Sequence, residues 1–268
     1  MNNDIILTGP PRSGTTLACS LLNELPNTAA LHEPMNLKMF PDPVTALEET
    51  QRFFVRMRTS ILETGTALSK IKGGSIPLNP FADDSTSERS SVVRKGTLHF
   101  EKSFSPDFKL VIKQNGHFTF LLPELSNHFP VFVLLRHPVA TIASWNTIQA
   151  PVAQGNLRVL KTLNPELYHS LERLPDLIER QVALLVEMYN CYDSLENSQF
   201  LYYEDLIASQ GKSLKNIIPA AENHEHALRS KNKNPLYSLE LIRDIKNHLA
   251  KVSSAFAGHY TLDDIFAY

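Results

Sequence analysis

The sequence predicts an α/β protein with a doubly wound, mostly parallel sheet and flanking helices. Three observations carry this. An apolar run at residues 4–8 enters a Gly/Pro-rich turn and then a helical pattern to residue 25. Strand-like runs at 108–113, 131–135 and 200–203 are separated by helical stretches. The run at 131–135, Val-Phe-Val-Leu-Leu, is apolar at every position, as a strand covered on both faces must be.

Taken in order, residues 4–8 read as a buried strand and 9–14 as a turn. Leu17, Leu21, Leu22 and Leu25 fall at helical spacing, so 15–25 is a helix, stopped by Pro26. Residues 44–63 form a second helix with Leu47, Phe54, Met57, Ile61 and Leu62 along one side. Residues 71–105 are rich in Gly, Ser, Pro and charge and read as loop, lid or insertion. A strand at 108–113 and a helix at 118–127 follow. After the 131–135 strand, Pro138 sits where a first helical residue tolerates it, opening a helix over 139–148. Residues 149–173 look irregular. Residues 174–195 form a long amphipathic helix with Leu174, Leu177, Ile178, Leu184, Leu185, Met188, Tyr192 and Leu195 on its apolar side. The chain from Leu206 is mostly helical, with a polar break near 231–235. The 268 residues suit one domain spanning 1–268, with substrate-side insertion or lid segments at about 35–105 and 149–173.

Composition narrows the class. Hydrophobic residues make up 43% and charged residues 20%, ordinary for a chain with a real core. A net charge of −2 supplies no bulk field for nucleic acid, so any anion site must be local. Cys19 and Cys191 are far apart and lack metal-ligand spacing, which argues against a disulfide framework or a zinc site and for two buried thiols. The first residues lack a basic leader, and no segment reaches about 18 consecutive apolar residues. A cytoplasmic protein without a membrane anchor is expected; oligomeric state stays open.

The strongest local signal is Gly9-Pro10-Pro11-Arg12-Ser13-Gly14-Thr15-Thr16. It follows a strand and opens a helix, so backbone amides at the helix start can face an anion. The Gly9-x-x-x-x-Gly14 spacing is that of a nucleotide triphosphatase loop, but Thr15 stands where such a loop needs Lys. Arg12 is the loop's cation. A phosphate is expected here, but not a triphosphate with Mg²⁺. A second signal is Arg136, at the end of the 131–135 strand, with Ser144 eight residues on. Open α/β sheets bind ligands at strand carboxyl ends, and a guanidinium offers phosphate a planar fork.

Together these segments resemble the sulfotransferase superfamily, whose members move a sulfuryl group from 3′-phosphoadenosine 5′-phosphosulfate (PAPS), leaving the bisphosphate PAP. Residues 11–17 look like its 5′-phosphosulfate loop. The resemblance implies that Arg12 contacts the 5′-phosphate and the sulfuryl group, with Ser13, Gly14, Thr15 and Thr16 adding hydrogen bonds. Residues 133–145 resemble the 3′-phosphate motif, implying that Arg136 and Ser144 grip that phosphate. Residues 201–206, Leu-Tyr-Tyr-Glu-Asp-Leu, resemble a third segment that would place Tyr203 near the adenine. The chain departs from the cytosolic members in lacking a C-terminal Arg-Lys-Gly block; Lys231 and Lys233 are the available substitutes. No metal is demanded.

Two residues compete as the base. Glu33, followed by Pro34, lies where carbohydrate and protein-tyrosine sulfotransferases place a catalytic Glu, and burial would raise its pKa toward that task. His117 resembles the base of cytosolic members, one residue out of register with Leu121-Leu122-Pro123. Glu33 is preferred, and Lys113 is a further candidate at the substrate. The expected acceptor is a small-molecule or carbohydrate hydroxyl. The alternatives are a P-loop kinase, for which the acidic strand end at Glu204-Asp205 speaks, and a non-catalytic nucleotide-binding protein on the same fold.

Overall fold

The computed structural model describes residues 3–82, 88–195 and 199–268. In chain order the elements are β1 (Asp4–Thr8), α1 (Thr15–Glu24), β2 (Thr28–His32), α2 (Pro43–Thr64), β3 (Thr66–Ile71), β4 (Arg94–His99), β5 (Lys109–Lys113), α3 (Asn115–Thr119), α4 (Leu122–Leu125), β6 (Val131–Leu135), α5 (Pro138–Trp145), α6 (Leu160–Leu163), α7 (Pro165–Arg173), α8 (Leu177–Asp193), β7 (Gln199–Tyr202), α9 (Tyr203–Ala208), α10 (Leu239–Lys251) and α11 (Leu262–Ala267).

Five strands form one sheet in the order β2-β5-β1-β6-β7, every pair parallel. Helices flank it. Apolar residues make this sheet the core: Ile6, Leu7, Val111, Ile112, Val133 and Leu134 are fully buried. Each such side chain contributes about 1.5–3 kcal/mol relative to exposure. Parallel pairing also aligns the strands' carboxyl ends. The chain leaves β1 between β5 and β6, having wound first toward one edge and later toward the other. That reversal point is where open sheets hold ligands.

The structure departs from the sequence expectations in several places. β2, Thr-Ala-Ala-Leu-His, is a fully buried edge strand that went unpredicted, because alanine carries little strand preference. The 71–105 segment is not all loop: β4 pairs antiparallel with β3 in register from Thr66↔His99 to Ile71↔Arg94. The single helix expected over 118–127 is two short ones, with Pro123 inside the second. Residues 149–173 are largely helical in short pieces, including α6 and α7. On α2 the buried face runs through Ala46, Thr50, Phe53, Phe54, Met57 and Ile61, while Leu62 is exposed. Both cysteines are free; Cys19 is buried and Cys191 only half-buried. Burial pushes the Cys19 thiol up to about 12, which makes it inert at neutral pH. Among the described residues no helix is long and apolar enough to cross a membrane.

Candidate active site

The 9–16 loop is held by backbone geometry that only glycine tolerates at its first position. Gly9 has φ +151°, and a Cβ there would strike the carbonyl oxygen of Leu134 on β6. Gly14 caps α1 at φ +99°, with the Tyr203 ring 2.7 Å from where a Cβ would sit. Gly9→Ala is expected to destabilise the fold by about 2 kcal/mol or more, since strain and overpacking act together. That corresponds to roughly 4–8 °C in Tm for a chain of this size. An unaltered melting curve would show that this tight seat does not matter.

Arg12 is an outlier too, with φ 75° in a region that costs a non-glycine residue on the order of 1 kcal/mol. Its conformation is braced on all sides. Nε donates to Ser144 Oγ at 3.1 Å, Nη1 donates to Asn79 Oδ1 at 3.1 Å, and the guanidinium lies 4.9 Å over the Phe81 ring. Trp145 Nε1 donates to the Pro11 carbonyl at 2.6 Å, and Arg136 Nη1 donates to the Arg12 carbonyl at 3.0 Å. Such strain persists only where surrounding contacts over-determine it, and it clusters at working sites.

Arg136 leaves the end of β6 and is buried. Besides the Arg12 carbonyl, it donates from Nε to Asn232 Oδ1 at 2.8 Å and from Nη2 to the Lys231 carbonyl at 2.6 Å. Its face lies 4.8 Å over the Tyr203 ring. Tyr203 Oη in turn accepts from the Lys231 amide at 2.9 Å. So Arg136 carries the 229–236 segment to the cavity, where Arg229 and Lys231 line the wall; Lys233 does not.

Burial, Arg89 and Arg136, in that order, lower the Arg12 pKa to about 10. Tyr237 and Tyr203 oppose them, and among the described residues no carboxylate is a cause of the shift. Arg89 is itself buried and bonds the Thr147 hydroxyl and carbonyl. A cluster of guanidiniums with no counter-charge among the described residues suits an anion. Ser13 Oγ, fully buried in the same loop, has no hydrogen-bond partner among the described residues.

Glu33 follows the last residue of β2 and turns the chain with φ 42°. Its carboxylate is shared between two ammonium groups: Lys113 Nζ, from the end of β5, at 2.7 Å, and Lys70 Nζ, from β3, at 2.6 Å. Burial pulls its pKa up, but Lys113, Lys70 and His32 together hold it well below the usual carboxylate range. The raised pKa expected from burial is therefore overturned: the two lysines outweigh desolvation. Lys113 is buried, and its own pKa is lowered by that burial against the pull of Glu33. His117 packs on Phe40 with centroids 4.8 Å apart and approaches Gln114 Nε2 through Nδ1 at 3.3 Å. Its Nε2 is buried without a partner, and burial lowers its pKa to about 4.

These groups meet in one cavity of about 1100 Å³. Arg12, Gly14, Thr15, Thr16, Glu33, Lys113, His117, Arg136 and Tyr203 all line it. Two expected ligand contacts fall elsewhere. Ser13 lies behind the wall, and Ser144 is buried with its hydroxyl accepting from Arg12. The helix turn after Arg136 aims Ser144 at the loop arginine, so it positions Arg12 and does not face the cavity. Glu204 and Asp205 are not on the wall either: the Glu204 carboxylate accepts from the His137 amide, Asn232 Nδ2 and Tyr260 Oη. The Glu204 carboxylate is thus taken up by the protein's own donors, and Asp205 is exposed.

A sulfotransferase family model matches residues 4–223. The chain belongs to the sulfotransferase family. No curated protein matches it. Among solved structures, a sulfotransferase domain from the curacin biosynthetic pathway is 13% identical over 87% of this chain and 77% of its own, with a TM-score of 0.44. A sulfotransferase from Alicyclobacillus acidocaldarius is 11% identical over 96% and 95%, with a TM-score of 0.42. One from Mycobacterium tuberculosis H37Rv is 15% identical over 96% and 77%, with a TM-score of 0.40.

Several residues of this sulfotransferase's cavity escaped the sequence reading: Asn79, Phe81 and Arg89 around Arg12, and Lys70 and Lys95 near Glu33. Asn115 is another; it accepts from Thr15 Oγ1 at 3.0 Å and ties the loop to α3. Among the described lining residues there are nine lysines and arginines and one carboxylate, Glu33, which makes the sulfotransferase's cavity strongly cationic although the chain is not.

Proposed function

We propose that this chain transfers a sulfuryl group from PAPS to the hydroxyl of a small-molecule or carbohydrate acceptor, with Glu33 taking the hydroxyl proton. The observation that carries the reading is the set of guanidiniums at Arg12, Arg89 and Arg136 gathered on one cavity wall around the 9–16 loop, with no carboxylate among the described residues acting on Arg12. The family is PAPS-dependent, and the residues fit that donor. A polyanion satisfies the uncompensated charge, and loop amides and hydroxyls supply the remaining donors. Arg12 and the 13–16 loop would hold the 5′-phosphosulfate, Arg136 with Lys231 or Arg229 the 3′-phosphate, and the Tyr203 ring would flank the base.

PAPS supplies the sulfuryl group, whose bond to the phosphate oxygen breaks as the acceptor oxygen bonds sulfur. The chain's own contribution is electrostatic. Arg12 is prepositioned for charge that grows on the donor's oxygens. Glu33 is ionised at neutral pH and faces the cavity, so it can accept a proton, but its two lysine partners make it a weaker base than a free carboxylate. Lys113 is fixed against the Glu33 carboxylate, which it holds ionised and in place. His117 is the second candidate, favoured by its unpartnered cavity-side Nε2.

Calorimetry with PAP, and with ATP plus Mg²⁺ beside it, tests the donor. PAP should bind in the micromolar range or tighter and ATP far more weakly. Arg136→Ala should weaken PAP by at least ten-fold, since losing a charge-assisted contact to an anion costs about 1.5–3 kcal/mol. ATP binding without PAP binding would overturn the reading.

A further inference from the structure

Resting on the sulfotransferase reading, we propose that the acceptor is an alcohol bearing its own anionic group, a carboxylate, phosphate or sulfate, received by Lys95 together with Lys70 on the β3–β4 hairpin. The pairing Lys70↔Lys95 puts two lysines directly opposite each other across the hairpin. Like charges directly opposite on neighbouring strands destabilise a sheet, so the pair needs a reason. Both side chains line the cavity.

The charges there do not balance. Lys70 Nζ and Lys113 Nζ share the one carboxylate of Glu33. Among the described residues Lys95 Nζ bonds only neutral oxygens, the Met35 carbonyl at 2.7 Å and the side chain of Asn36. Three ammonium groups thus stand against one described carboxylate, leaving two charges unmatched among the described residues. The Lys95 pKa is lowered, by burial first and by Lys70 second, with Glu33 opposing; the like charge is felt. This cluster is separate from the guanidiniums: the cations acting on Arg12 are Arg89 and Arg136, whereas those acting on Lys95, and on Glu33, are lysines and His32. The donor can neutralise the first group and still leave the second.

The imbalance grows along the reaction. When Glu33 accepts the acceptor's proton, Lys70 and Lys113 lose their counter-charge together. An anionic group held by Lys95 and Lys70 offsets that loss most where the proton has moved, so it raises kcat as well as lowering KM. A neutral alcohol offers no such compensation.

The test uses the PAP-saturated protein and three matched probe pairs: methyl glucoside with methyl glucuronide, glycerol with glycerol 3-phosphate, and propanol with 3-hydroxypropane-1-sulfonate. PAP occupies the phosphate part of the guanidinium site, and the Lys95 variants separate a preference set at the lysines from one set at the subsite that the absent sulfuryl group leaves open. At least one anionic member should bind ten-fold or more tighter than its neutral twin, and the advantage should disappear in Lys95→Met and persist in Lys95→Arg. PAP affinity, expected to be unchanged in both variants, reports that they are folded. No charge preference in any pair, or a preference that survives Lys95→Met, overturns the proposal while PAP binding leaves the sulfotransferase reading standing. Failure of the wild-type protein to bind PAP overturns that reading, and this one with it.

Discussion

Arg12→Ala should cost the largest share of activity, with kcat/KM for PAPS falling by about 10³-fold or more. The guanidinium is braced by Ser144, Asn79 and Phe81 and meets no carboxylate among the described residues, so on the proposed reading it would act on both the bound donor and the charge that develops during transfer. Both kcat and PAP affinity should therefore drop. The variant should still fold. The Trp145 and Arg136 bonds to this loop end on the carbonyls of Pro11 and Arg12, which alanine retains. Arg12→Lys should recover little, because an ammonium cannot serve Ser144 and Asn79 in one plane. Stopped-time turnover with labelled PAPS, beside PAP calorimetry, reads both effects. Wild-type turnover in Arg12→Ala would remove the loop from the chemistry.

Glu33→Gln should lower kcat by about 10²–10⁴-fold while PAP affinity stays within a few-fold. The same change in His117 should have a much smaller effect; the reverse order would transfer the base to the imidazole. The pH dependence carries further information. The Glu33 pKa is depressed, so the ionised form exists above that low value and is lost only as pH falls through it. Activity limited by this carboxylate should run flat from pH 8 to pH 5, with no limb near the ordinary histidine value of about 6.5. An acid limb near 6.5 would contradict both the ion-pair geometry and the burial of His117. Stability follows the same sign: the ion pair contributes above the unfolded carboxylate's pKa of about 4.3 and is lost as pH falls through the folded value. Removing the charge also leaves buried Lys113 without its carboxylate, so Glu33→Gln should melt earlier, by an amount equivalent to about 3 kcal/mol.

What the amino-acid order determined by itself is the local part of this site. A phosphate loop is a cradle made of consecutive residues, so Gly9, Arg12 and Gly14 could be read directly, as could the strands at 4–8 and 131–135 whose ends deliver the loop and Arg136. Glu33 and Lys113 were legible as residues beside a recognisable pattern, but their meeting was not. They are joined only because β2 and β5 pair in register, His32↔Lys113, which brings the residue after β2 to the end of β5.

Tertiary structure alone decided the rest. Lys70 and Lys95 lie on alternating strands where a lysine looks the same facing water or a cavity; the packing of β3 beside β2, through the Ser69 hydroxyl and the His32 amide at 3.0 Å, sets the half-buried Lys70 and the exposed Lys95 on the cavity wall. It reversed one inference too. Burial by itself would have raised the Glu33 pKa, but two ammonium groups contributed by distant segments, at under 3 Å, outweigh the loss of water and hold it down. Electrostatics at a site sums over everything within a few ångströms, and spatial neighbours of that kind are set by how strands pair and pack, which no local stretch of sequence encodes.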